Sequence, residues 1–102
     1  MLRDPAWRGV VATRSGRLVG AALATDDGAE TGFARVEVLY VLPGERRAGI
    51  GRRLLADVVA WATARGREGL DVVTAPGDRA SKAFLEAAGL KARLIVMHRP
   101  LP

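Results

Sequence analysis

Residues 36–55 read as a buried strand, then a turn rich in glycine and arginine, then an amphipathic helix. The turn carries Arg46, Gly49 and Gly51 in an Arg-x-x-Gly-x-Gly pattern. Glycine lets a ligand come close to the backbone, amides at a helix start point towards an anion, and arginine neutralises that anion. The segment therefore predicts a phosphate-binding turn between a strand and a helix.

Two better-known glycine motifs do not fit this turn. A P-loop requires lysine directly after its second glycine; Gly44 and Gly49 have the spacing, but Ile50 stands at the lysine position. A dinucleotide-binding fingerprint requires a third small residue three positions after Gly51, where this chain has Leu54. The remaining alternative is that the two glycines only open the helix, although glycine is costly there.

The composition describes an ordinary soluble domain. The chain has 102 residues, of which 49% are hydrophobic and 26% charged, so we expect a single domain over residues 1–102. It has no cysteine, which excludes disulfides and thiolate chemistry, and we expect no metal site. No apolar run approaches the ~18 residues of a membrane span, and the start lacks the apolar core of a signal peptide. We therefore expect a cytoplasmic protein.

The net charge of +5 comes mostly from arginine. Arginines cluster at residues 46–47 and 52–53 and are otherwise dispersed, without the interleaved aromatic residues that a single-strand stacking surface needs. A basic surface of this kind fits one anion site better than a nucleic-acid interface.

Turn signals and apolar runs divide the chain into seven elements. We expect strands over residues 9–13, 17–25, 35–42, 69–75 and 93–99, and helices over residues 47–65 and 79–88. We also expect a polar loop over residues 26–32 and a helix cap at Asp78. The order β-β-β-α-β-α-β predicts a mixed α/β sheet with helices on its faces, in which the long helix joins two parallel strands.

This strand, turn and helix resemble the central coenzyme A motif of the GNAT family of N-acetyltransferases. That motif has Arg or Gln, two free residues, Gly, one free residue, and Gly or Ala. Residues 84–90, Phe-Leu-Glu-Ala-Ala-Gly-Leu, resemble the family's next motif. With the hairpin upstream and the strand downstream, the resemblance covers nearly the whole chain. It implies the GNAT-like acyl-CoA N-acyltransferase fold without its usual N-terminal strand and helices.

The resemblance implies acetyl-CoA (coenzyme A) as the cofactor. In the family, the strand before the turn and the next parallel strand splay apart, and the pantetheine arm enters the gap. Backbone groups of the strand would hold the pantetheine and polarise the thioester, amides of the turn would hold the pyrophosphate, and the second helix would line the other wall. In that order, the implied residues are Leu39, Tyr40, Val41; Arg46, Arg47, Ala48, Gly49, Ile50, Gly51, Arg52; Ser81 and Phe84.

The resemblance also implies direct attack of a primary amine on acetyl-CoA, which needs a base. Glu37 is the best candidate, because it lies on the strand beside the thioester; strand alternation places it on the face of Leu39 and Val41. The alternative is a solvated strand glutamate. His98, the only histidine, is expected at the surface.

Several points stay open. Glu30 and Asp27 would either bind a cationic acceptor or only keep a loop soluble. Many family members carry a tyrosine that protonates the leaving thiolate, but Leu85 stands there; the usual Asn before that helix is Asp78. With the N-terminal elements lacking, a homodimer or another chain would complete the acceptor site.

Three functions therefore remain. The leading one is an acetyl-CoA-dependent N-acetyltransferase acting on an unidentified amine. The second is a non-catalytic acyl-CoA-binding or regulatory module, which the leucine at position 85 favours. The third is a basic nucleic-acid-binding domain, which rests on the net charge alone and predicts salt-sensitive binding.

Overall fold

The computed structural model describes residues 6–46, 48–74 and 78–102. Arg47 and residues 75–77 lie outside this part, so predictions that fall on them stay predictions. The strands are β1 (Trp7–Arg14), β2 (Arg17–Asp26), β3 (Phe33–Val41) and β4 (Gly69–Val72). The helices are α1 (Gly28–Thr31), α2 (Ile50–Ala64) and α3 (Arg79–Ala87), and a 3₁₀ turn spans Pro43–Glu45.

The strands form one mixed sheet in the order β1-β2-β3-β4. The first three make an antiparallel meander, and β3 pairs with β4 in parallel through the α2 crossover, as predicted. At the β1–β2 turn, Ser15 and Gly16 both have positive φ, the conformation of the tight turns that match strand twist. The predicted α/β class with a mixed sheet is confirmed.

Helix α2 covers one face of the sheet with the stripe that its sequence predicts. Leu54 and Val58 are 3% and 0% exposed and pack with the small side chains of β2, Ala22 and Ala24. Burying each larger apolar side chain contributes about 1.5–3 kcal/mol. This contact fixes the start of α2 relative to the end of β3.

An ion-pair cluster ties the far end of α2 to β2. The Asp26 carboxylate is only 4% exposed and faces the guanidinium groups of Arg65 and Arg67. The Arg67 Nε lies 3.2 Å from Asp26 Oδ1 but makes no hydrogen bond of good geometry, so this contact is a charge contact. Because breaking a buried pair leaves an uncompensated charge, the cluster holds α2 in register.

Element boundaries differ from the prediction at three places. Helix α2 begins at Ile50 and not at residue 47, because Gly49 adopts a left-handed conformation (φ 77°) that cannot continue a helix. The predicted polar loop over residues 26–32 contains the short helix α1. Strand β4 ends at Val72, where it diverges from β3.

The predicted last strand is wrong. Residues 93–99 belong to no strand among the described residues. Arg93 is held beside β4 by Asp71, and its guanidinium lies 4.7 Å from the centre of the Phe33 ring. Beyond Arg93 the segment finds no backbone partner in the described part of the chain, and its apolar side chains are exposed. Apolar character alone does not supply the neighbouring strand that a ladder requires.

Candidate active site

A cleft opens where β3 and β4 separate. Their pairing ends at Val36 and Val72, but β3 continues through residues 37–41, paired only with β2. The end of β3, the start of α2 and helix α3 enclose a cleft of about 740 Å³. This volume lies within the range of small-molecule and cofactor sites.

A β-bulge lies at the mouth of this cleft. On β2, Leu23 pairs with Val38 and Ala24 with Val36, so Glu37 is the extra residue of β3. The bulge explains why Val36 and Val41, five positions apart, are both buried in the core. A regular strand would have turned one of them away from α2.

The bulge also corrects the predicted orientation of Glu37. Its Oε2 accepts a 2.9 Å hydrogen bond from the Thr25 hydroxyl and lies 3.5 Å from Arg35 Nε. Ala24, which precedes Thr25 on β2, is fully buried under α2, so these contacts lie on the opposite face from Leu39 and not with it. The carboxylate nevertheless lines the cleft, with its side chain 39% exposed.

The start of α2 points unpaired amides at the cleft. Gly49 caps the helix without a side-chain hydrogen bond, and its carbonyl accepts from the amide of Arg53. The first helical residues, Ile50, Gly51 and Arg52, have amides with no partner within the helix. With the positive end of the helix dipole, they form a site for an anion.

Gly51 brings the helix close to the opposite wall. A Cβ atom built there would lie 3.3 Å from the Phe84 ring and 3.6 Å from Val41. Only a very small residue leaves the end of β3 and α3 at this separation. The predicted glycine therefore has a packing reason as well as a ligand-binding one.

Arg46 closes the loop side of the cleft. Its Nε donates a 2.9 Å hydrogen bond to the Val41 carbonyl, and its guanidinium lies 5.8 Å from the centre of the Tyr40 ring. The cation is thus held over the end of β3 and still lines the cleft. Such a fixed guanidinium is suited to a phosphate ligand.

Helix α3 forms the remaining wall and begins at the predicted cap. The Asp78 carboxylate accepts bonds from the Ser81 hydroxyl, at 2.7 Å, and the Ser81 amide, at 3.0 Å. The hydroxyl bond first, and then the amide bond, lower the pKa of Asp78 below its ordinary value. Leu85 is 7% exposed in the core, so the wall carries no hydroxyl where many relatives have tyrosine.

The structure brings most of the predicted site residues together in this one cleft. They are Glu37, Leu39, Tyr40, Val41, Arg46, Gly49, Gly51, Arg52, Ser81 and Phe84. Two differ: the Ile50 side chain is buried in the core, and the Ala48 amide already donates to the Glu45 carbonyl at 3.2 Å. Arg47 lies outside the described residues.

Sequence reasoning missed Thr25 and the role of Asp78 as a cleft residue. Thr25 meets Glu37 only through the β2–β3 register, which no local pattern reports. Asp27 is paired with Arg35 at 2.7 Å, whereas Glu30 is exposed. His98 is exposed, as predicted.

Much of the basic charge is already paired. Arginines at positions 8, 14, 35, 65, 67 and 93 each contact a carboxylate in the described part of the chain. Within the same residues there is no cluster of three or more His, Asp or Glu side chains that could hold a metal ion. None of the helices described has the length and hydropathy needed to cross a membrane.

Splayed parallel strands with a helix start aimed into the gap define an α/β protein built to hold an extended phosphorylated ligand. The chain belongs to the acetyltransferase (GNAT) family, whose family model matches residues 1–90. Acyl transfer is the chemistry of that family. The resemblance of the turn to the family's coenzyme A motif is therefore confirmed at the level of the family.

Solved structures give the same fold. Aminoglycoside N-acetyltransferase AAC(6')-Iy in complex with CoA superposes with a TM-score of 0.83 at 23% identity, covering 99% of this chain and 81% of that one. An aminoglycoside acetyltransferase from an uncultured soil metagenomic sample, in complex with sisomicin, gives 0.82 at 21% identity over 99% and 68%. An acetyl transferase from Pyrococcus furiosus, described as putative, gives 0.81 at 26% identity over 98% and 69%. Curated protein sequences give no significant match.

Proposed function

We propose that this protein transfers an acetyl group from acetyl-CoA to a primary amine by direct attack in a ternary complex. The observation that carries the proposal is the opening between β3 and β4 with the free amides of α2 at its end. Membership of the acetyltransferase family makes acetyl-CoA the cofactor. Bound acetyl-CoA supplies a thioester, whose C–S bond breaks as the amine forms the new C–N bond.

The chain's residues divide the binding task along the cleft. The unpaired side of β3 at Leu39, Tyr40 and Val41 offers backbone groups to an extended amide-bearing arm, as a neighbouring strand would. One of these amides is placed to stabilise a developing oxyanion. The α2 amides and Arg46 receive the pyrophosphate, with Ser81 and Phe84 opposite.

Glu37 is the proposed base. Its carboxylate lines the cleft on the open face of the sheet, where an acceptor can approach from solvent. The Thr25 hydroxyl donates to one of its oxygens, which fixes the carboxylate while lone pairs remain for a proton from the amine. Since Leu85 provides no acid, the thiolate must leave unprotonated or take its proton from water, which its ordinary pKa permits.

Calorimetric titration with acetyl-CoA tests the cofactor site first. We expect micromolar binding, and absence of binding at millimolar acetyl-CoA would exclude the proposal. Acceptors are then screened by CoA release across an amine panel that includes sisomicin, because a structural relative is in complex with that aminoglycoside. The Arg46→Ala, Gly49→Asp double variant is the negative control for both measurements.

The buried Leu85 favours a second function, a non-catalytic acyl-CoA-binding module. This alternative predicts the same binding isotherm but no CoA release with any amine. Time-dependent CoA release that requires an amine, and stops in the double variant, would exclude it.

A further inference from the structure

Residues 93–98 form an extended apolar segment without a sheet. Leu94, Ile95, Val96 and Met97 are 71%, 77%, 80% and 87% exposed. Successive side chains of an extended segment point to opposite sides, so this run is apolar on both. That pattern is typical of a strand covered on both faces, in the interior of a sheet and not at its edge.

A groove beside this segment has the shape of a missing strand. Among the described residues, β4 pairs only with β3, so its outer edge is open. Between that edge and the segment lies a groove of about 470 Å³, with Leu70 and Val72 on one wall and Ile95 on the other. The bidentate pair of Arg93 with Asp71 anchors one end of the segment next to β4.

We propose that the groove receives residues 93–98 of a second copy of this chain. Each copy then inserts its segment between β4 and the segment of its partner. The central order becomes β4, partner segment, own segment, partner β4, related by one two-fold axis. Both open edges disappear, and each segment becomes an interior strand.

Two features of the molecule favour this occupant. The groove needs an extended strand that is apolar on both sides, and the chain itself carries one that is unpaired in the described structure. Covering the four apolar side chains on two copies removes on the order of 1,200 Å² before the groove walls are counted, the lower bound of a stable interface. A partner that supplied only a strand would leave this chain's segment exposed.

Light scattering after gel filtration tests the proposal at about 50 µM protein, well above the dissociation constant of a stable dimer. We expect the unmodified protein to be a dimer and the Val96→Asp variant a monomer, with a dissociation constant raised about 100-fold or more. Leu101→Asp is the matched control: Leu101 is 81% exposed but lies outside the segment, so that variant should stay dimeric. A monomeric unmodified protein, or a dimeric Val96→Asp variant, overturns the proposal.

Cross-linking tests the exchange itself, because the chain has no cysteine of its own. Val73→Cys places a thiol on the groove wall beyond β4, and Val96→Cys places one on the segment. We mix the two single variants, one with a mass tag, and add a short bismaleimide. Exchange predicts a product that joins one chain of each kind. No such product, together with efficient cross-linking inside one chain of the double variant, means that the segment folds onto its own β4 and overturns the proposal.

Discussion

The Nε of Arg46 donates a 2.9 Å hydrogen bond to the carbonyl oxygen of Val41, so the first residue of the motif holds the end of β3. Arg46→Ala should therefore weaken acetyl-CoA binding about tenfold and destabilise the fold by about 0.5–1.5 kcal/mol. Arg46→Lys keeps the charge but not the planar fork, so its affinity should be intermediate.

Calorimetry and thermal unfolding measure the two effects separately. Arg53→Ala is the matched control, because Arg53 is exposed on the same helical turn but does not line the cleft. Equal affinity loss in the Arg53 and Arg46 variants would show that general charge, and not this contact, attracts the cofactor.

Two glycines with the same backbone angle separate binding from stability. Gly49 and Gly66 both have φ 77°, at the start and just beyond the end of α2, and a Cβ on either would meet no atom within 4 Å. Alanine at either position should cost about 1–2 kcal/mol of stability from left-handed strain. Only Gly49→Ala should also weaken acetyl-CoA binding. If both variants bound the cofactor normally, the loop would have no special role.

Gly51 controls the width of the cleft. Valine there should push the Phe84 ring out of place, since even a Cβ would lie 3.3 Å from it, and acetyl-CoA affinity should fall about tenfold or more. Gly51→Ala, the smaller change that the family motif allows, should retain most of the affinity. Gly44→Val is the control, because a Cβ at Gly44 meets nothing within 4 Å. A similar loss of affinity in the Gly44→Val variant would argue against a local steric cause.

Local patterns were enough to predict β2, β3, α2 and the cap at Asp78. The α2 stripe and the hairpin turn depend on residues close in sequence, and such periodicity survives folding. Register and pairing do not depend on neighbours in sequence. The bulge that turns Glu37 towards Thr25 requires β2, and the strand expected over residues 93–99 lacks a pairing partner. Both errors therefore concern contacts between distant segments.

Glu37→Gln tests the proposed base without disturbing its support. The amide oxygen can still accept the Thr25 hydroxyl bond, so folding and acetyl-CoA binding should be unchanged. Loss of the base should lower kcat about 10²- to 10⁴-fold with an acceptor from the panel. Glu30→Gln, a change at an exposed residue away from the cleft, is the control. A Glu37→Gln enzyme with full kcat would assign proton removal to another group or to water.

Asp78 should make the α3 wall sensitive to acid. Its pKa is lowered by the bonds from Ser81, so the folded state binds fewer protons than the unfolded state around that pKa. The stabilisation is present above the ordinary carboxyl pKa and is lost as the pH falls through the lowered value. Asp78→Asn keeps a capping oxygen but cannot titrate, whereas Asp78→Ala removes the cap and should lower Tm by a few degrees at neutral pH.

We expect the Asn variant to lose less Tm than the unmodified protein between about pH 7 and pH 3, the range in which aspartates titrate. Asp71→Asn is the comparison, because the hydrogen bond from Arg93 lowers the pKa of Asp71 in the same direction but outside the cleft. Both variants should flatten the acid dependence of Tm, but only Asp78→Ala should also weaken acetyl-CoA binding at neutral pH, through the loosened start of α3. An unchanged acid dependence in Asp78→Asn would mean that the Ser81 bonds do not persist in solution.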